Sequence, residues 1–207
     1  MDGASISKPA GASANAATPI EDARLEALSD ERLVDLLRRG KAAAGEVLVK
    51  RHHEPLLKYL NRHAASVTVA EELLQQTWLS ALDHLDQFKY DEHGGMGFKA
   101  WLFRIATNKS HDHWRSRGRE RTAYDGLKLV TEVEAPDASH RLEGRERDKR
   151  LRWAIDELPE PQKQVVLLRY YSEMKFVEIA QMLGCPLNTA LGRMHKAMIK
   201  LKKLIEE

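Results

Sequence analysis

Arg104, Asn108, His111 and Arg115 recur at intervals of four, three and four residues, so a helix would set them on one face. All four can donate hydrogen bonds, two are cations, and none presents a bulky apolar group. Phosphates and nucleobase edges are the ligands such a stripe suits. Charge gathers around it. From Lys99 to Arg121 the cations Lys99, Arg104, Lys109, Arg115, Arg117, Arg119 and Arg121 face only the acids Asp112 and Glu120, a local charge of +5 in a chain of net charge +2. A patch of that kind supplies a field that the whole-chain balance hides. Asn108 is suited to a base edge. Trp114 is as well suited to stack on an exposed base as to pack against protein.

A second constellation lies near the C-terminus, in "FVEIAQMLGCPLNTALGRMHKA". Ile179 and Leu183 are core positions of a short helix, and Ala180 suits a close helix crossing. Gly184 ends the helix where a positive φ is favoured, and Pro186 sits near the next helix start. Ala190, Met194, Ala197 and Leu201 form the inner stripe of that helix. Arg193, His195, Lys196 and Lys200 form its outer face. A short helix, a glycine turn and a basic second helix predict a DNA-reading helix-turn-helix. A third group, Glu71, Glu72, Gln75 and Gln76, makes an acidic, amide-bearing surface. Such a face repels DNA phosphates and suits a protein partner.

These groups need helices to position them. Ser29 is placed to cap a helix whose first turn carries Asp30 and Glu31, with Leu33, Leu36 and Leu37 as its apolar stripe. A second helix follows in "GEVLVKRHHEPLLKYLNRHA", where Pro55 is expected to bend or interrupt it. In a third, Leu73, Leu74, Trp78, Leu79 and Leu82 are assigned to one apolar face. Asp91 to Gly97 is a glycine-rich loop. The helix after it starts with Phe98, Trp101, Leu102 and Ile105 on a core stripe. Helical pattern returns after residue 139, and Pro159 and Pro161 end its first helix. The expected architecture is all-α: a tail at 1–24, a helical domain at 25–117, a linker at 118–138 and a second helical domain at 139–207. "LKLVTEV" has strand character but no partner strand.

Composition narrows the function classes. The 207 residues suffice for one medium or two small domains. The only cysteine, Cys185, excludes an internal disulfide. It fits a reducing compartment, and in the helix-turn-helix turn it reads as a small buried residue ahead of a redox sensor. No apolar run reaches a membrane span, and "MDGASISKPAGASANAATPIED" lacks the basic start and apolar core of a secretory signal. A soluble, cytoplasmic protein is expected. His52-His53 and His111-x-His113 do not share helix faces, so no metal or other cofactor is assigned. No nucleophile triad, phosphate loop or carboxylate pair marks an enzyme.

The three stretches "AEELLQQTWLSALDHLDQF", "FKAWLFRIATNKSHDHWRSRGRE" and "LRWAIDELPEPQKQVVLLRYYSEMKFVEIAQMLGCPLNTALGRMHKAMIKL" together resemble the extracytoplasmic-function (ECF) sigma factors of the sigma-70 family. The resemblance implies two helical domains, sigma-2 and sigma-4, that bind core RNA polymerase and promoter DNA. It assigns Glu71, Glu72, Gln75 and Gln76 to polymerase docking. It places Arg104, Asn108, Lys109, His111, Trp114 and Arg115 on the −10 element, with a flipped base held by the loop Asp91 to Gly97 and by Asn108. It places Thr189, Leu191, Gly192, Arg193, His195 and Lys196 on the −35 element. Leu191 and Gly192 depart from the basic residue and serine common in the family, which shifts −35 readout toward thymine contact and DNA shape. Many relatives are held by an anti-sigma factor. The competing readings are a free-standing helix-turn-helix regulator, which has no use for the docking strip, and a histidine-based nucleic-acid enzyme.

Overall fold

The computed structural model describes residues 19–90, 95–124 and 142–206, and among them only helices and turns occur. The helices are α1 (Pro19–Glu26), α2 (Asp30–Arg38), α3 (Ala42–Asn61), α4 (Val67–Asp83), α5 (Phe98–Tyr124), α6 (Leu142–Asp156), α7 (Glu160–Tyr171), α8 (Phe176–Met182) and α9 (Leu187–Glu206). A 3-10 turn, Leu85–Gln87, follows α4. No helix of the described residues is long and apolar enough to cross a membrane.

Local chemistry explains the helix starts. The Ser29 hydroxyl accepts the Arg32 N–H at 3.4 Å, and Ser66 accepts that of Val69 at 3.3 Å. The first N–H of α5 is served from far away in sequence: Phe98 N–H donates to Glu31 Oε1 at 3.3 Å. Asp30 fastens α2 to α3 by accepting from His52 Nε2 at 2.7 Å and from Arg51. Burial would raise the Asp30 carboxyl, but the His52 hydrogen bond and charge, with those of Arg51, hold it below the usual carboxylate range.

The core is built around α5. Phe98, Trp101, Leu102, Phe103 and Ala106 are buried. Phe88, Phe98 and Trp101 form a ring cluster with centroids 5.3–5.7 Å apart, and Phe103 meets Tyr59 of α3 edge-on at 5.3 Å. The Tyr59 hydroxyl pairs with Thr107 Oγ1 at 2.7 Å, so no polar atom is wasted there. In the second half, Leu167, Leu168, Met174, Ile179, Ala190 and Ala197 are buried between α7, α8 and α9.

Four sequence expectations need correction. Helix α3 runs unbroken through Pro55, because Leu48, Leu56, Tyr59 and Leu60 on either side of it are buried and hold the backbone helical. Leu79 and Leu82 are 55% and 52% exposed, so only Leu73 and Leu74 of the proposed apolar face, with half-buried Trp78, reach the core. Helix α1 begins at Pro19, inside the stretch read as tail, and buries Leu25. Helix α5 extends to Tyr124, past the boundary set at 117, since nothing from Gly118 to Tyr124 breaks it strongly. The segment "LKLVTEV" lies outside the described residues.

Where α3 and α5 meet α7 and α8, polar groups also join the two helical halves. Lys99 Nζ donates to Ser172 O at 2.9 Å. Arg62 lies 3.8 Å from Asp156, and Lys163 bonds the same carboxylate at 2.6 Å. His63 is buried beside them, its ring 4.6 Å from that of Tyr59. Burial, aided by Lys163, His111 and Arg62, pushes the His63 imidazole down to about 3.

Two outcomes follow from this packing. Below an ordinary imidazole pKa the unfolded chain binds a proton that buried His63 refuses, so this stabilisation is complete above about pH 6.5 and fades as pH falls. In wild type the urea midpoint should therefore drop from about pH 7 to about pH 5, and in His63→Asn it should drop markedly less. Pro55→Ala restores the N–H missing from mid-helix and should raise unfolding free energy by roughly 1–3 kcal/mol in the same assay.

Candidate nucleic-acid interface

Helix α5 presents two faces, as its spacing implies. With Trp101 and Leu102 turned inward, Arg104 and Asn108 are exposed and Lys109 is half-buried. These three converge on a cleft of about 310 Å³ between α5 and the end of α4. Its other wall is Ser80, His84 and Gln87, which the sequence reading did not single out. Their signal was present: they recur at i, i+4 and i+7, the same helical spacing that marked α5. The cleft joins amide, hydroxyl and imidazole groups to two cations, so it can bind an anion and a hydrogen-bonding ring together.

The remaining α5 candidates are held elsewhere. His111 Nε2 lies 3.1 Å from Gln164 Nε2 and 3.8 Å from a Glu160 carboxylate oxygen, so it turns toward α7. Trp114 donates its indole N–H to His63 O at 2.6 Å, yet stays 46% exposed. The N–H anchors the helix, and part of the ring stays open to solvent. Arg115 stands 3.8 Å from Asp112 on the surface, where such a pair adds little. Of the loop Asp91 to Gly97, residues 91–94 lie outside the described residues; Met96 packs against the core.

The helix-turn-helix forms as expected. Gly184 has φ +60°, and Cys185 N–H reaches back to Ala180 O at 3.0 Å to close α8. On α9, Thr189, Leu191, His195 and Lys196 are exposed, whereas Gly192 and Arg193 are half-buried. Arg193 folds back over the turn, its Nη1 3.9 Å from Cys185 Sγ. A Cβ on Gly192 would meet nothing within 4 Å, so internal packing does not require glycine there. His195 stands at the border of an apolar groove of about 790 Å³ formed by α6, α7 and α9.

The docking candidates Glu71, Glu72, Gln75 and Gln76 are all exposed on α4, turned away from buried Leu73, Leu74 and Thr77. Exposed Leu79 and Leu82 prolong the same strip with apolar surface. One small domain thus carries an exposed acidic and amide strip and a separate cationic cleft.

Comparison with known proteins matches the two helical halves to two family segments. Residues 48–120 match the family described as Sigma-70 region 2, and residues 148–201 match Sigma-70, region 4. The chain is 32% identical over 136 residues to the ECF RNA polymerase sigma factor EcfG of Rhodopseudomonas palustris, covering 66% of this chain and 71% of that protein. It is 27% identical over 180 residues to the ECF RNA polymerase sigma-E factor of Escherichia coli, covering 83% and 92% of the two chains. Among solved structures it is similar to CnrH, determined with the cytosolic domain of CnrY, at 25% identity and a TM-score of 0.64, over 86% of this chain and 97% of that one. It is also similar to the sigma factor RpoE of Bartonella quintana, determined with the anti-sigma factor NepR, at 25% identity and a TM-score of 0.58, over 73% and 89%. With region 2 and region 4 in order and a relative of that identity over that length, this chain belongs to the ECF RNA polymerase sigma factors of the sigma-70 family.

Proposed function

We propose that this protein docks on core RNA polymerase through Glu71, Glu72, Gln75 and Gln76 and directs it to promoters by reading two DNA elements. The observation that carries this reading is the separation of surfaces on the first domain. The acidic and amide strip of α4 is exposed, and the cationic cleft of α5 is a different surface. A free-standing regulator would need only the DNA-facing surfaces.

In this reading Arg104 and Lys109 hold phosphate at the −10 element, and Asn108 meets a base edge. Arg115 adds charge, and Trp114 offers its exposed ring face to an unstacked base. His111 joins the DNA surface after leaving Gln164 and Glu160, so DNA binding and contact with α7 compete for the same ring. At the −35 element, Thr189 and Lys196 meet the backbone, Leu191 contacts a thymine methyl, and His195 reaches a base edge. Arg193, folded over Cys185, steadies the turn. Gly192 lets the DNA backbone approach α9 closely. An anti-sigma factor, the kind of partner RpoE of Bartonella quintana was determined with, completes the set, and the apolar groove of α6, α7 and α9 offers it area.

Size-exclusion chromatography with bacterial core RNA polymerase tests the docking face. Wild type should co-elute, and Glu72→Lys combined with Gln75→Ala should elute free while keeping its helical circular dichroism. A folded wild-type chain that binds duplex DNA but never co-elutes would overturn the reading. Gly192→Ala tests the second domain. The new methyl has space within the protein, so thermal stability should rise by up to about 1 kcal/mol. Transcription from a −35-dependent promoter should nevertheless fall, because the same methyl occupies the proposed approach path.

A further inference from the structure

We infer that His63 is an acid-sensitive pin between the two helical halves: neutral, it lets them close on each other, and protonated, it parts them. The inference concerns the chain alone and does not rest on polymerase docking. Three observations support it. First, the ring is buried where the halves meet. His63 lies just past the end of α3 and is 8% exposed. Its backbone is fastened to the first half: its N–H donates to Leu60 O at 2.9 Å, and its carbonyl accepts the Trp114 indole N–H at 2.6 Å. Arg62 beside it and His111 of α5 act on the ring from that half. Lys163 of α7 and Asp156 at the end of α6 act on it from the other. If the ring is repelled, the second half is the side that gives.

Second, the surroundings have no place for an imidazolium. His63 Nε2 is buried without a hydrogen-bond partner. Arg62 and Lys163 repel a third cation. The carboxylate that faces the ring, Asp156, is already shared: Lys163 bonds it at 2.6 Å and Arg62 lies 3.8 Å away. A buried charge left unpaired is costly. Burial, then Lys163, His111 and Arg62, therefore holds the ring at about 3, with Asp156 opposing them. Third, the polar contacts across the seam are replaceable by water. They include Lys99 on Ser172 O, Arg62 on Arg152 O at 3.4 Å and His111 with Gln164. Buried Arg62 Nε and Gln162 Oε1 lack partners that opening would supply. The shared apolar cluster holds the seam closed while the ring is neutral. His111 acts in the opposite sense, since once protonated it gains the Glu160 carboxylate 3.8 Å away. Both of those side chains are exposed, where such a pair adds little, so His63 decides the sign.

Opening returns the imidazole to water and to an ordinary pKa. The closed form is then fully favoured above about pH 6.5 and loses ground as pH falls; between pH 7.5 and 5 the closed-to-open ratio drops roughly thirtyfold. Small-angle X-ray scattering of the full chain, with circular dichroism in parallel, tests this. From pH 7.5 to 5 the wild type should expand while keeping its helical signal, and should contract again on return to pH 7.5. His63→Asn, or His63→Gln should the asparagine variant fold poorly, carries no titrating ring and should keep compact dimensions throughout. His111→Gln should expand as wild type does, which separates the two imidazoles. A wild type whose dimensions do not change over this range overturns the inference. So does an equal expansion in the folded His63 variant, an expansion lost in His111→Gln, or one that comes with loss of helix.

Discussion

Everything in the first domain depends on the aromatic anchoring of α5. Phe88, Phe98 and Trp101 pack as one ring cluster, and Phe103 locks against Tyr59. With that stripe buried, the rotation of the helix about its axis is settled. Arg104 and Asn108 must then face solvent, because they lie on the remaining side of a rod with 3.6 residues per turn. The Glu31 carboxylate fixes where the rod begins, and Trp114 ties its later turns to the end of α3. A reading surface that has to hold melted DNA gains from such rigidity, since preorganised groups lose little freedom on binding.

Contact between the two halves has a different character. Its polar part is made of Lys99, Arg62, Asp156, Lys163, His111 and Gln164, most of them able to find water or phosphate instead. Within it Arg62 Nε, His63 Nε2 and Gln162 Oε1 are buried without a hydrogen-bond partner. Each such atom costs free energy that opening would return. The buried apolar residues of both halves form one cluster, and the polar groups that join the halves are incompletely satisfied. That arrangement suits a protein whose two ends read separate stretches of DNA.

Much of the site was legible in the residues. Helical spacing put Arg104, Asn108, His111 and Arg115 on one face, and Gly184 with Pro186 marked the turn of the helix-turn-helix. The exposure of Glu71, Glu72, Gln75 and Gln76 followed from their positions between buried Leu73, Leu74 and Thr77. Local rules suffice there because period, capping and turn chemistry involve neighbours only a few residues apart. Two local rules misled for the same reason. Pro55 breaks a helix in isolation, but buried Leu56, Tyr59 and Leu60 outweigh its missing N–H. Leu79 and Leu82 look like core by type, yet among the described residues nothing covers more than about half of either.

What only the tertiary structure decided is which faces meet. Sequence spacing places Ser80, His84 and Gln87 together and Asn108 with Arg104, but nothing in it brings the two sets to one cleft; the packing of α4 on α5 does that. Nor does it send His111 toward Gln164 or let Glu31 cap a helix that starts 67 residues later. The sequence by itself determined the helices, their apolar stripes, the turn and the charge of each face, because these follow from short-range sterics and burial. The cleft and the seam came from long-range packing, where the partner of a side chain is set by the shape of the whole core.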